Sequence, residues 1–280
     1  MTVNPTAAVI GLGSMGFGVA QSLLRAGFGV AGFDPRAEVV ARLVAEGGRA
    51  ATGPVDAVTG ADAVFCVVLN GQQTADVLFG TGGAAAAMAP GAVFISMATL
   101  SPDLAADLAA QLAERGIDYL DAPISGGAAK AAEGRLSVMA SGAPAAFDRA
   151  AKALSAVSEN LFRLGDTPGQ GSSFKAVNQL LAGVHIAAAS EAMAFAAAQG
   201  LDLPEVYRVI TLSAGNSWMF ADRMKRVLDN DYRPRSSTDI FVKDLGIVLD
   251  VARARKLPLP ISAAAMQMFL MTSASGMGGD

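Results

Sequence analysis

Lys175 and Asn178 stand three residues apart in the run Gly169-Gln170-Gly171-Ser172-Ser173-Phe174-Lys175-Ala176-Val177-Asn178-Gln179, which opens on glycines and then turns helical. Residues three apart on a helix are neighbours on one face. An amine beside an amide that both donates and accepts suits proton transfer to and from an alcohol oxygen while hydride leaves the adjacent carbon. Such an amine must be neutral for part of the cycle. An ordinary lysine pKa is about 10.4, so burial and a nearby positive charge would have to lower it, while a substrate carboxylate would act the other way. Arginine stays protonated and could not serve. A solvated lysine on a helix surface is the plain alternative, and the rest of the chain must decide between the two.

A hydride needs an acceptor, and the start of the chain offers a place for one. Gly11-Leu12-Gly13-Ser14-Met15-Gly16 follows the apolar run Ala7-Ala8-Val9-Ile10 and precedes a helical run from Met15 to Ala26, with Gly27 as its stop. In a strand-turn-helix unit the first glycine permits the tight turn, the second admits a pyrophosphate to the backbone, and the third lets helix pack on strand. The helix N-terminus then faces the phosphates with unpaired N–H groups and its positive dipole end. Val30-Ala31-Gly32-Phe33-Asp34 reads as a second strand ending in a carboxylate placed to bond both ribose hydroxyls of an adenosine. That carboxylate repels a 2′-phosphate, so NAD is expected over NADP, with Arg36 two residues on able to soften the discrimination. A third glycine-rich element, Asp121-Ala122-Pro123-Ile124-Ser125-Gly126-Gly127, follows the strand-like Ile117 to Leu120. Successive N–H groups at Ser125, Gly126 and Gly127, with the serine hydroxyl, could form a nest for a carboxylate at the carboxyl end of a strand, where open α/β sheets bind ligands.

The elements that must position these residues read as an α/β domain of Rossmann type, a doubly wound sheet, followed by an all-α domain joined by a long interdomain helix. Strands are expected at Ala7 to Ile10, Val30 to Phe33, Ala63 to Leu69, Ala92 to Ile95, Ile117 to Leu120, Leu136 to Ala140 and Leu161 to Leu164, alternating with helices at Arg36 to Ala45, Pro102 to Arg115 and Pro144 to Ala156. Beyond Gly165 the strand pattern stops, which divides the chain into a nucleotide-binding domain, 1–165, and a helical substrate and dimerisation domain, 166–280. The alanine-rich stretch from Gly171 to Gln199 predicts one long helix, and others follow at Pro204 to Leu212, Trp218 to Asp229, Thr238 to Arg255 and Ile261 to Ser273. A helix so long and apolar needs more cover than one small domain supplies, so a homodimer or homotetramer is expected. Met266, Met268 and Met271 of the last helix suit either core packing or a subunit seam.

Composition narrows the partners. With 280 residues, 52% of them apolar, and a net charge of −4, the chain can bury a large core and carries no generic attraction to nucleic acid or anionic membrane. No signal-like leader opens it, and the apolar stretches are broken by Pro90 or carry His185 and Glu191, so a cytoplasmic location with no membrane span is expected. Cys66, the single cysteine, lies in an apolar run and reads as a core thiol; no His/Asp/Glu cluster has metal-ligand spacing. His185, two turns past Asn178, reads first as a core or interface histidine. Trp218 reads as packing, with Asn216 and Ser217 beside it as loop polars able to face a substrate.

Four ordered motifs, GLGSMG at the start, DAPISGGAAKAAEGRL from Asp121 to Leu136, GQGSSFKAVNQ at the junction and Lys243-Asp244-Leu245-Gly246 near the end, together resemble the 3-hydroxyisobutyrate dehydrogenase family of β-hydroxyacid dehydrogenases. The resemblance implies Lys175 as the catalytic residue. It implies that Gly11, Leu12, Gly13, Ser14, Met15, Gly16 and Asp34 hold NAD, with Thr99 near the nicotinamide side and Lys243 closing over it, and that Ser125, Gly126, Gly127 and Asn178 hold a small hydroxy acid. Within the family, NQLLAGVHIA from Asn178, AGNSWMF from Ala214 and DIFVKDLG from Asp239 most resemble the branch that oxidises L-threonate to a 2-keto acid. Tartronate semialdehyde reduction and 3-hydroxyisobutyrate oxidation are the alternatives from the same fold. A non-catalytic NAD-binding sensor is the alternative from another class, and it would have no use for Lys175 and Asn178 together. In Met97-Ala98-Thr99, Ala98 stands where many relatives have serine, which leaves Thr99 to act alone; relatives also continue for a short tail where this chain reaches Asp280.

Overall fold

The computed structural model describes residues 5–233 and 237–279. Two compact units divide the chain between Lys175 and Ala176.

The first unit is built on strands β1 (Thr6–Ile10), β2 (Gly29–Phe33), β3 (Arg49–Ala50), β4 (Ala63–Cys66), β5 (Val93–Ser96) and β6 (Asp118–Asp121). They form one parallel sheet in the order β3-β2-β1-β4-β5-β6, so the strand order reverses between β1 and β4. Between them run helices α1 (Ser14–Arg25), α2 (Ala37–Ala45), α3 (Pro54–Val58), α4 (Gly71–Phe79) and α5 (Pro102–Ala113). Strands covered on both faces read as unbroken apolar runs, and the alternate side chains of β1 show why. Ala7 and Val9 join a core with Val19, Leu23, Phe65 and Ile95, whereas Ala8 and Ile10 join one with Val64, Phe94, Leu108 and Leu112.

The sequence places Leu136 to Ala140 and Leu161 to Leu164 in that same sheet, and here the structure differs. A separate three-stranded sheet forms from β7 (Ile124–Ser125), β8 (Leu136–Ala140) and β9 (Ser158–Arg163), with α6 (Gly127–Glu133) and α7 (Pro144–Val157) between. β7 runs antiparallel to β8, so the chain folds back after β6 instead of adding a seventh parallel strand. The strand expected at Ala63 to Leu69 is also shorter than predicted, because β4 ends at Cys66 and the apolar residues beyond it enter the turn beside Gly11.

The second unit is helical. α8 (Gln170–Ala198) begins in the first unit and continues through the second, followed by α9 (Leu203–Thr211), α10 (Trp218–Leu228), α11 (Thr238–Ala254) and α12 (Pro260–Thr272). Ala182 and Ala187 of α8 pack with Phe241, Leu245, Ala265 and Phe269, whose two rings stack 5.1 Å apart. Met266 and Met268 lie against this cluster, whereas Met271 is exposed. Farther along, Ala189 and Met193 meet Phe220 and Met224, and Tyr207 stacks on Phe220. Among the described residues α8 is the one helix whose length and composition could cross a membrane, although it carries the buried Lys175 near its start.

Candidate active site

The glycine turn joins β1 to α1 at the point where strand order reverses, the crevice position for ligands in sheets of this kind. Gly11 has φ +89°, and a Cβ there would lie 2.5 Å from the Val67 carbonyl oxygen; at Gly16 it would lie 1.8 Å from the Gly11 carbonyl oxygen. Only glycine closes this turn. Gly13 between them is open, the nearest atom to its hypothetical Cβ being Arg36 Nη2 at 3.9 Å. That is the cradle a pyrophosphate needs: two glycines forced by the backbone, one left clear for the ligand. The dinucleotide therefore fits the residues present.

Asp34 follows β2 and is buried; its Oδ2 accepts from the Leu12 N–H at 2.8 Å, which ties the carboxylate to the turn. Its Oδ1 accepts from the Arg36 backbone N–H at 3.0 Å and Nε at 2.8 Å, and Arg36 Nη2 donates to Oδ2 at 3.0 Å. The Arg36 side chain holds the Asp34 carboxyl below the usual carboxylate range, helped by the two backbone donors and opposed by burial. Met15 is half-buried and Ser14 exposed at the helix start, and Thr99 is half-buried just past β5.

Lys175 is 6% exposed, and its Nζ donates to the Ile124 carbonyl oxygen at 2.8 Å. The solvated alternative is thereby removed, and the amine is set beside the Ser125-Gly126-Gly127 turn. Ser125 pairs with Ser137 in the small sheet, while Gly126 (φ +137°) and Gly127 (φ +77°) lead into α6. The expected loop is thus a short strand followed by a helix entry.

What holds Lys175 there is a residue the sequence reading passed over. Asp121 is wholly buried at the end of β6, its Oδ2 accepting from Gly169 N–H at 3.0 Å and Ser172 N–H at 2.7 Å, its Oδ1 from Ser172 Oγ at 2.7 Å. One carboxylate therefore caps the start of α8 from 48 residues away. Burial pushes its pKa up, and these donors pull it back. The available signal was a carboxylate ending an apolar strand, which must find donors.

Within the second unit, Asn178 Nδ2 donates to Gln179 Oε1 at 2.9 Å, Gln179 Nε2 donates to Asp244 Oδ2, and Lys243 Nζ lies 2.6 Å from Asp244 Oδ1. Gln179 and Asp244, both buried, link two predicted site residues and were not singled out from the sequence. Asn216 and Ser217 are used locally: Asn216 donates to the Thr211 carbonyl, and Ser217 caps α10 by accepting from Phe220 N–H. Trp218, expected to pack, is the first residue of α10, 71% exposed and outside the cluster that buries Phe220 and Met224. His185 is half-buried on α8.

Comparison with known proteins agrees with this geometry. Residues 6–165 match the NAD binding domain of 6-phosphogluconate dehydrogenase, and residues 169–280 match the NAD-binding domain of NADP-dependent 3-hydroxyisobutyrate dehydrogenase. The chain is 54% identical to an L-threonate dehydrogenase of Cupriavidus necator over 97% of its own length and 92% of that protein. The crystal structure of a 3-hydroxyisobutyrate dehydrogenase from Salmonella typhimurium is 48% identical, covers 99% of this chain and 96% of its own, and superposes with a TM-score of 0.93. A complex of Psf3 with NADP+ and 2-OPP, 27% identical, covers 98% of this chain and 96% of its own with a TM-score of 0.88. Fold, glycine turn and matches define an NAD(P)-dependent hydroxyacid dehydrogenase. The chain belongs to the 3-hydroxyisobutyrate dehydrogenase family.

Proposed function

We propose that this protein oxidises L-threonate, or a closely related four-carbon sugar acid, to the 2-keto acid (2-dehydro-L-erythronate), with Lys175 as the general base. The observation that carries the proposal is the buried Lys175 amine on the Ile124 carbonyl, one residue from the Ser125-Gly126-Gly127 turn. In this reading that turn binds the substrate carboxylate and orients the acid, Asn178 holds the hydroxyl oxygen, and Lys175 Nζ takes the hydroxyl proton. Gly11 to Gly16 and Asp34 hold the dinucleotide, with Thr99 and Lys243 at its nicotinamide end. When bound, NAD+ supplies the hydride acceptor. The Asn178-Gln179-Asp244-Lys243 chain of contacts supports a role for Asn178 and Lys243 in one polar network.

The choice of L-threonate rests on the name carried by the Cupriavidus necator relative. The name of the Salmonella typhimurium structure favours 3-hydroxyisobutyrate as the second reading. Initial rates of NAD+ reduction on a panel of L-threonate, D-threonate, 3-hydroxyisobutyrate and glycerate separate them. The expected result is the highest kcat/KM on L-threonate; a higher value on 3-hydroxyisobutyrate overturns the assignment. Lys175→Ala is expected to lose at least about a hundredfold in kcat while still binding NADH. Retained turnover removes Lys175 from its role. In this reading the residues up to 165 hold the nucleotide and, through Ser125 to Gly127, the substrate carboxylate, while those from 166 supply Lys175, Asn178, Lys243 and the self-association surface, in the cytoplasm. Phe174, Val177 and Leu181, exposed at helical spacing on α8, support a homodimer or homotetramer, which sedimentation of the full chain tests.

A further inference from the structure

Asn178 is half-buried, and its amide has two unlike ends, one that donates and one that accepts. When Lys175 takes the hydroxyl proton, the oxygen left behind can be held only by a donor, and the keto oxygen of the product likewise accepts. Asn178 must therefore offer that atom N–H and not C=O. A half-turn about its last side-chain bond exchanges the two ends, and that bond has a broad, roughly two-fold preference. Something must set the direction.

Its neighbour does so. Asn178 Nδ2 donates to Gln179 Oε1 at 2.9 Å, which uses one of its two N–H groups and leaves the second for another acceptor. Gln179 is 7% exposed, and its own amide is held in turn, because its Nε2 donates to Asp244 Oδ2. Asp244 is 2% exposed and paired with Lys243 at 2.6 Å, and an ionised carboxylate only accepts. The direction of the whole chain is thus fixed at one end. Turning Gln179 sets its Oε1 against the carboxylate, and turning Asn178 sets its Oδ1 against Oε1; each change puts acceptor against acceptor and leaves a buried hydrogen bond unmade.

We propose that Gln179 is a positioning residue for hydride transfer, which passes the polarity of the Asp244 carboxylate to the Asn178 amide so that Asn178 presents N–H to the reacting oxygen. Gln179 itself touches no substrate atom. The inference rests on the reading of Asn178 as the residue that holds the hydroxyl oxygen, and not on which acid is the substrate.

The test uses the full chain, NAD+ and whichever acid of the panel gives the highest kcat/KM, and it reads the plateau of kcat/KM against pH so that a shifted Lys175 titration does not enter. Gln179→Met removes donor and acceptor at similar size and is expected to lower the plateau at least about fivefold. A smaller loss overturns the proposal. Gln179→Lys keeps a donor for Asp244 and offers Asn178 no acceptor, so its Tm is expected nearer the wild type than that of Gln179→Met while its plateau falls at least about fivefold too; a smaller fall overturns the proposal even where the methionine variant does not fold. Asn178→Ala is expected to lose at least about tenfold, and wild-type turnover in that variant removes Asn178 from its role and the inference with it. In the Asn178→Ala background, Gln179→Met is expected to cost less than about a further twofold, because Gln179 acts only through Asn178. A larger further loss shows a general structural effect and overturns the proposal while leaving the role of Asn178 intact.

Discussion

Asp121 carries the start of α8, and Asp121→Ala measures how much of the site depends on that one carboxylate. In the alanine variant Gly169 N–H and Ser172 N–H lose their buried acceptor, and Ser172 Oγ loses its partner. Each buried backbone donor left unmade costs about 1–3 kcal/mol. Removing a carboxylate that burial already disfavours recovers part of that. The net expectation is a loss of about 2–4 kcal/mol, or a fall in Tm of roughly 5–15 °C for a unit of this size. Ser172 is one turn before Lys175, so the amine shifts with it, and a displacement of order 1 Å costs about a hundredfold in kcat/KM. Asp121→Asn provides the contrast. Its amide oxygen can replace Oδ2 as acceptor for both N–H groups, while the Ser172 hydroxyl must turn from donating to Oδ1 to accepting from the new NH2, so the loss is expected to be at most about 1–2 kcal/mol. Thermal unfolding and steady-state kinetics on both variants decide the matter. An alanine variant with wild-type Tm and kcat/KM refutes the anchoring argument, and an asparagine variant as damaged as alanine shows that charge, not acceptor geometry, is what α8 requires.

Three further outcomes follow from the same geometry. Gly16→Ala places a Cβ 1.8 Å from the Gly11 carbonyl oxygen and is expected to lose both stability and NADH binding, whereas Gly13→Ala, open to 3.9 Å, is expected to keep its Tm and lose NADH binding alone; equal Tm values for the two variants contradict this. Asp34 has its pKa depressed in the folded state, so its stabilising contribution is complete above the unfolded value of about 3.9 and disappears as pH falls through the folded one. The stability gap between wild type and Asp34→Asn should therefore be flat from pH 7 to about 5 and narrow progressively as pH falls below about 4, as read by denaturant unfolding across pH; a gap that does not narrow below about pH 4 refutes the assignment. Burial pushes the Cys66 thiol up to about 12, so a maleimide at pH 8 should label it only after denaturation, and labelling of the native chain would show β4 opening.

The parts of this molecule that were legible in the sequence are those whose cause is local. β1, the glycine turn and α1 are consecutive, and the same unbroken apolar run that marks the strand also buries it on two faces. Lys175 and Asn178 were legible as neighbours because helical spacing alone decides it. β7 has only two residues, and its antiparallel partner begins eleven residues after Ser125, so its departure from the parallel sheet depends on a pairing that no local pattern records. The Asp121 anchor has the same character. Its chain neighbours read as a substrate loop, but its donors lie 48 and 51 residues away, and only the need of a buried carboxylate for partners foretold that they would exist. Arg36 stands between these cases: spacing alone puts it beside Asp34, yet whether it clamps the carboxylate or leaves it open depends on one side-chain conformation.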